Sequence, residues 1–367
     1  MKEIRIGNKI IEKRKELKLT QEELADHLGV SKPAVSKWES GQSYPDITLL
    51  PVIATYFDIT VDELFDYQPQ LTKQEIRKVY RSLAERFTQE PFDEVMTELN
   101  TLMRKYYSCW PLLLNLGILL MNHADLAGSI ERRNEILQEA LRLFERIEQN
   151  CDDPRILRQT PLFKATCWMM TGNPNEVIDL LGDADEIKLN PDILLANAYL
   201  MKQENEKALN LLQGSIFTDL LSIVGAMPGL MAIYAAQPGT LDRWSQSIER
   251  LIEIFDLDHL HPASVLPFYV NAAALYLSQN RVDPALHHLE RYARIACEPG
   301  LFPFTLKGNA QFDHIQALIE SLDLGSLAPR SDKAIKQSFK DLLKHPAFES
   351  LAENDRFKRI VRDLDAL

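Results

Sequence analysis

Apolar residues recur at three- and four-residue spacing along nearly the whole chain, and the strict alternation of half-buried strands is scarce. A repeat near 3.6 residues places apolar side chains on one face of a helix. The pattern therefore predicts an all-α protein. Residues 1–66 read as one compact set of short helices forming a first domain. The polar stretch Tyr67-Gln-Pro-Gln-Leu-Thr-Lys73 reads as a linker over 67–73. From 74 to 367 the predicted helices are longer and come in pairs, forming a second domain. Breaks are expected at Pro91, Pro111, Pro154, Pro161, Pro174, Pro191, Pro238, Pro262 and Pro284. The fixed φ and missing donor of proline suit the start of a helix better than its interior.

The second domain carries a weak internal repeat. Ala165, Trp168 and Val177 open a pattern that returns at Ala196, Tyr199 and Ala208, and again at Ala273, Tyr276 and Ala285. In each copy the offsets from the first residue are +3 and +12. A small residue lets two antiparallel helices approach, an aromatic one turn later fills the gap, and a small or β-branched residue on the second helix meets them. These offsets match the small–aromatic–small positions of tetratricopeptide repeats, so the segment resembles a tetratricopeptide-like α-solenoid. The match departs from the repeat in period, with copies 31 and 77 residues apart, and lacks its regular leading Trp and closing Pro. A generic helical bundle is the alternative. The tail, from His345 through Phe348, Leu351, Phe357 and Ile360, is expected to cap the open end of the repeats.

The sequence Thr20-Gln-Glu-Glu-Leu-Ala-Asp-His-Leu28 opens with the signature of a capping box, Thr20 with Glu23 three residues on. Gly29 supplies a left-handed turn without a side-chain penalty. Ser31 is then placed to cap a second helix, Lys32 to Glu39. On that helix Ala34, Val35 and Trp38 share one face, while Lys32, Pro33, Ser36 and Lys37 share the other. The first set is suited to pack on Leu24 and Leu28. The second is short, polar or cationic, as a helix lying in a DNA major groove requires.

This run, with Ser40-Gly41-Gln42, Tyr44-Pro45-Asp46, a fourth helix over about 47–57 and Thr60-Val-Asp-Glu-Leu-Phe65, resembles the Cro/cI-type (XRE) helix-turn-helix family. The resemblance spans about Gly7 to Asp66 and implies a five-helix DNA-binding head. By position, it implies that Gln21 touches phosphate and a base edge. It puts Lys32, Pro33, Ser36 and Lys37 at the base-reading positions. Ser40, Gln42, Ser43 and Tyr44 fall in the phosphate-contacting loop. It gives Trp38 and Glu39 structural roles. The expected partner is a double-stranded DNA operator, read by a homodimer.

Charge changes that picture in one respect. The whole chain carries a net −12, which argues against coating nucleic acid or an anionic membrane along its length. Residues 1–66 hold nine Lys or Arg against twelve Asp or Glu, a net of −3, but residues 1–44 hold nine against seven, a net of +2. So modest a footprint implies that affinity comes from two heads together.

Other classes find little support. There is no G-x-x-x-x-G-K, G-x-S-x-G or H-E-x-x-H string, so no enzymatic activity and no cofactor are expected. Four scattered cysteines without a C-x-x-C pair suit reduced thiols in a cytoplasmic protein. His259-Leu-His261 and His287-His288 lack a Cys or carboxylate at ligand spacing, and no metal site is expected. The charged N-terminal stretch is unlike a secretory signal. The longest apolar run, Pro111 to Met121, is too short to span a bilayer, so no membrane association is expected.

A Cro/cI-type head on a tetratricopeptide-like body resembles in layout the peptide-sensing regulators of Gram-positive bacteria, the Rgg, PlcR, PrgX and NprR group. The resemblance implies a body that dimerises and binds an effector, a peptide or protein. Asn115, Asn197 and Asn271 are the candidates to pair with a bound backbone, because an amide both donates and accepts. The alternatives are a ligand-independent phage- or antitoxin-type repressor, or a scaffold whose body binds another protein.

Overall fold

The computed structural model describes residues 6–65, 70–182 and 191–367. They divide into two compact units, Met1–Thr72 with Tyr106–Cys109, and Lys73–Lys105 with Trp110–Leu367. Of the expected linker, residues 67–69 lie outside the described residues, and Lys73 already opens a helix. Among the described residues there are helices and turns, with one isolated antiparallel bridge between Thr305 and Leu327 and no strand. The protein is all-α.

Among the described residues the first unit holds five helices: α1 (Ile6–Glu16), α2 (Gln21–Leu28), α3 (Lys32–Glu39), α4 (Leu50–Tyr56) and α5 (Val61–Leu64). Ile6 and Ile10 of α1, Leu24, Ala25 and Leu28 of α2, Val35 and Trp38 of α3, Ile53 of α4 and Leu64 of α5 meet in one core. Gly7 allows α1 and α3 to touch backbone to backbone: a Cβ there would run into the Trp38 carbonyl oxygen. The fourth helix is shorter than expected. Residues 47–49 form a turn and Phe57 caps rather than continues α4.

The second unit continues with α6 (Lys73–Arg86), α7 (Phe92–Lys105), α8 (Trp110–His123), α9 (Ile130–Asn150), α10 (Pro154–Met170), α11 (Pro174–Leu181), α12 (Pro191–Met201) and α13 (Asn205–Ile233). It ends with α14 (Pro238–Ile254), α15 (Leu257–Leu260), α16 (Pro262–Ser278), α17 (Val282–Ala296), α18 (Gln316–Ser321), α19 (Asp332–Leu342) and α20 (Asp355–Asp365). Neighbours in sequence pack as pairs: α8 on α9, α10 on α11, α12 on α13, and α16 on α17. Prolines do open α10, α11, α12, α14 and α16. Pro161 is a correction: it sits inside α10, as Pro228 and Pro267 sit inside α13 and α16. Burial of the flanking apolar face outweighs the single hydrogen bond that an internal proline removes.

The repeated small residues fall where helices meet. Ala165, Ala196, Ala208, Ala273 and Ala285 are all buried. The aromatic is buried at Tyr276 and half-buried at Trp168 and Tyr199. Gly117 on α8 does the same for α9, since a Cβ there would stand 2.5 Å from Phe144 Cε1. The tail closes over the last pair: Pro346–Leu351 packs on α16, and α20 packs on α17 and α19, burying Phe348, Leu351, Phe357 and Ile360.

The 29-residue α13 is the longest apolar helix described, and it outruns the Pro111–Met121 stretch. Among the described residues it is the one helix long and apolar enough to cross a membrane by length and composition. Phe217, Leu220, Val224, Met227 and Met231 line its buried side. Its other side exposes Leu209, Ile216, Ile223 and Ile233, with Asp219 and Ser222 among them.

Candidate nucleic-acid interface and effector groove

The capping box that starts α2 is fully formed. Glu23 N donates to Thr20 Oγ1 at 3.2 Å, and Thr20 N donates to Glu23 Oε2 at 2.7 Å. These bonds hold the Glu23 carboxyl below its ordinary value, the Thr20 backbone amide contributing most. The same device, Thr60 with Glu63, starts α5; its T-x-x-E spacing is equally visible in the sequence. Gly29 ends α2 with φ 66°, the left-handed conformation expected of it.

Ser31 is a correction. Its backbone is extended as a cap's should be, but its hydroxyl accepts no amide. The reason is local: Pro33 occupies the second helical position and has no N–H, and the Ala34 amide donates instead to the Ser31 carbonyl at 2.9 Å.

The two faces of α3 separate as the periodicity requires. Val35 and Trp38 are buried and Ala34 is half-buried, while Lys32, Pro33, Ser36 and Lys37 are exposed. Lys32 Nζ lies 3.2 Å from Glu22 Oε2, both side chains exposed, a pairing that water and salt weaken readily. The loop after α3 is folded onto the Lys37 carbonyl, which accepts from Gln42 N at 2.9 Å, Ser43 N at 3.3 Å and Ser40 Oγ at 3.2 Å. Ser40, Gln42 and Tyr44 are exposed and Ser43 is half-buried. Beyond it, Asp46 Oδ1 accepts from Thr48 N at 2.9 Å, setting the turn into α4.

Behind this surface stands an ionic anchor. Arg14 Nε and Nη2 donate to Glu39 Oε1 and Oε2 at 2.6 and 3.0 Å, and Gln21 Nε2 donates to Glu39 Oε2 at 2.8 Å. Burial raises the Glu39 carboxyl, but the bonds from Arg14 and Gln21 bring it below its ordinary value overall. Gln21 is thus both a candidate DNA contact and part of the frame. Arg14 carries no signal of this role in the sequence, because nothing in a spacing of 25 residues announces a partner.

The three asparagines do not come together. Asn115 on α8 is buried, and its Nδ2 donates to its own helix at Pro111 O. Asn197 is exposed on α12. Asn271 is exposed on α16, its Nδ2 bound to Pro267 O, and lines a groove of about 420 Å³. Leu266, Val270, Phe304, Phe339 and Leu342 supply most of the groove's apolar wall, and Asn122, Arg330 and Ser338 its polar atoms. Arg330, Ala328 and Phe304 also border an adjoining hollow of about 340 Å³. Among the described residues no group of three or more His, Cys, Asp or Glu is placed to hold a metal ion. The His287-His288 pair is spent on neighbours: His287 Nε2 meets Glu249, and buried His288 Nε2 meets Ser245 Oγ at 3.1 Å.

Residues 10–64 match the Helix-turn-helix family model. The head is a helix-turn-helix domain. The HTH-type transcriptional activator BcrR of Enterococcus faecalis is 43% identical over 68 residues, 17% of this chain and 33% of that protein. The HTH-type transcriptional regulator YqaE of Bacillus subtilis (strain 168) is 33% identical over 78 residues, 21% of this chain and 62% of that protein. The chain thus spans a third to under two thirds of these relatives, and the match lies at the head. The crystal structure of Bacillus thuringiensis PlcR with the peptide PapR7 and DNA covers 99% of this chain and 95% of its own, at 13% identity and a TM-score of 0.24.

Proposed function

We propose that this chain is a transcriptional regulator: the head binds a DNA operator, and the helical body dimerises and takes an effector that alters DNA binding. The observation that carries the reading is α3. Its buried face is locked by Trp38 and Val35, its outer face presents only Lys32, Pro33, Ser36 and Lys37, and the loop behind it is pinned to the Lys37 carbonyl. Small and cationic side chains on a rigid helix suit a major groove, where a good base contact is worth ~1–3 kcal/mol.

Dimerisation is supported by the exposed face of α13. Leu209, Ile216 and Ile223, all exposed, stand seven residues apart, the spacing of a coiled-coil seam. On the adjoining α12, Leu194 and Met201 are 75% and 88% exposed. A second copy would cover such a surface and bring two heads to one operator. The effector reading is supported by the groove that Asn271 lines, and it leaves out Asn115, whose amide is buried.

The test is selection of binding sites from random DNA by the full chain, followed by affinity measurement at fixed salt. The reading expects an enriched pseudo-palindrome whose half-sites lie about 34 Å apart or a multiple of it. No enrichment would reject it, and would favour a body that binds another protein through α12.

A further inference from the structure

The groove beside α16 is apolar along its walls, and the one cation among its lining residues is incompletely satisfied. Arg330 Nη1 donates to Ser338 Oγ at 3.1 Å, while Arg330 Nε is shielded from solvent and has no hydrogen-bond partner. A buried donor left unpaired costs free energy, more so on a charged group. Arg330 also stands where the groove meets the adjoining hollow, so an anion beside it could be reached from an apolar body lying along Leu266, Val270 and Phe339. A guanidinium fork matches the two oxygens of a carboxylate. The volume, about 420 Å³, falls in the range of small-molecule sites, roughly 300–1,000 Å³.

We infer that this groove binds a small amphiphile whose apolar body lies between α16 and α19 and whose single carboxylate pairs with Arg330. The inference deepens the effector reading above and rests on it, naming the effector's chemistry. The carboxylate meets the one cation among the groove's lining residues. The apolar body covers Val270, Phe304, Ile335 and Leu342, which are half-buried, and that area drives binding. Asn122 and Asn271 flank the groove with their Nδ2 groups held by Ile118 O and Pro267 O, so they shape its rim rather than supply its charge.

The test is calorimetric titration of the full chain, without DNA, using decanoate and its uncharged match decanol. Decanoate should bind saturably at one site per chain, and decanol about tenfold to a hundredfold more weakly, the worth of a hydrogen bond to a charged group. Arg330→Gln should bring decanoate down to the decanol level and leave decanol unchanged. Ala328→Trp, which fills the junction, should weaken both. Circular dichroism of each variant checks its fold. Absent decanoate binding, equal affinities for the two probes in the parent chain, or full decanoate binding by a folded Arg330→Gln would each overturn the inference. Because no DNA is present, such a failure is separate from a failure of the operator-binding reading.

Discussion

Arg14 on α1 grips Glu39 at the end of α3 through two parallel hydrogen bonds of 2.6 and 3.0 Å, with both side chains largely out of water. A bidentate guanidinium–carboxylate pair fixes angle as well as distance. It therefore sets how α3 projects from the head, and Gln21 is held by the same carboxylate.

Breaking this anchor should cost stability before it costs recognition. Arg14→Met leaves Glu39 without its main partner, and the head should lose about 1–3 kcal/mol, read from urea unfolding of the full chain by a probe in the head. Because the folded Glu39 carboxyl lies below its ordinary value of 4.5, its stabilising share is complete above that pH and is lost as the pH falls through the folded value. The gap between parent and Arg14→Met should therefore narrow on acidification below about pH 4.5. A gap that stays constant down to about pH 2 would remove Glu39 from the account.

The two faces of α3 should respond oppositely to substitution. Replacing Lys32 and Lys37 together by Ala should leave the unfolding midpoint in place. Operator binding should weaken by ~1–3 kcal/mol for each of the two lysines that reads a base edge. Trp38→Ala should instead destabilise the head by ~3–5 kcal/mol, because the indole is only 6% exposed and leaves a cavity. If the double lysine variant binds the selected operator as tightly as the parent, α3 does not read bases.

Close approaches give a third set of outcomes. Gly7→Ala would force α1 away from the Trp38 carbonyl, and Gly117→Ala would push Phe144 out of its place against α8. Overpacking typically costs ~1–3 kcal/mol. The first should lower the stability of the head alone and the second that of the body alone, as reported by hydrogen exchange in each unit.

Assembly is open to a charge substitution. Ile223→Glu, near the middle of the exposed face of α13, should shift the chain from dimer to monomer in sedimentation velocity. Its operator affinity should fall while far-ultraviolet circular dichroism stays the same. A parent chain that is already monomeric at the concentrations of DNA binding would refute dimerisation through this face.

Much of this protein is determined locally. Period 3.6 and the scarcity of alternation define an all-α chain, and Thr20 with Glu23, Gly29 and the split faces of Lys32–Glu39 define the helix-turn-helix, because capping, turn and amphipathic signals act within a few residues. The +3 and +12 offsets likewise mark where α12 meets α13 and α16 meets α17. Tertiary structure alone decides the rest. Arg14 finds Glu39 from 25 residues away, and Asn115 and Asn271, both candidates to pair with a bound backbone, end respectively inside the packing and on a groove. Arg330 carries no motif at all; its unpaired Nε exists because the chain returns it, over 200 residues after Asn122, to the same wall. Short-range chemistry repeats along a sequence and can be read there, whereas the pairing of distant charges and the hollows between helices depend on which faces finally meet.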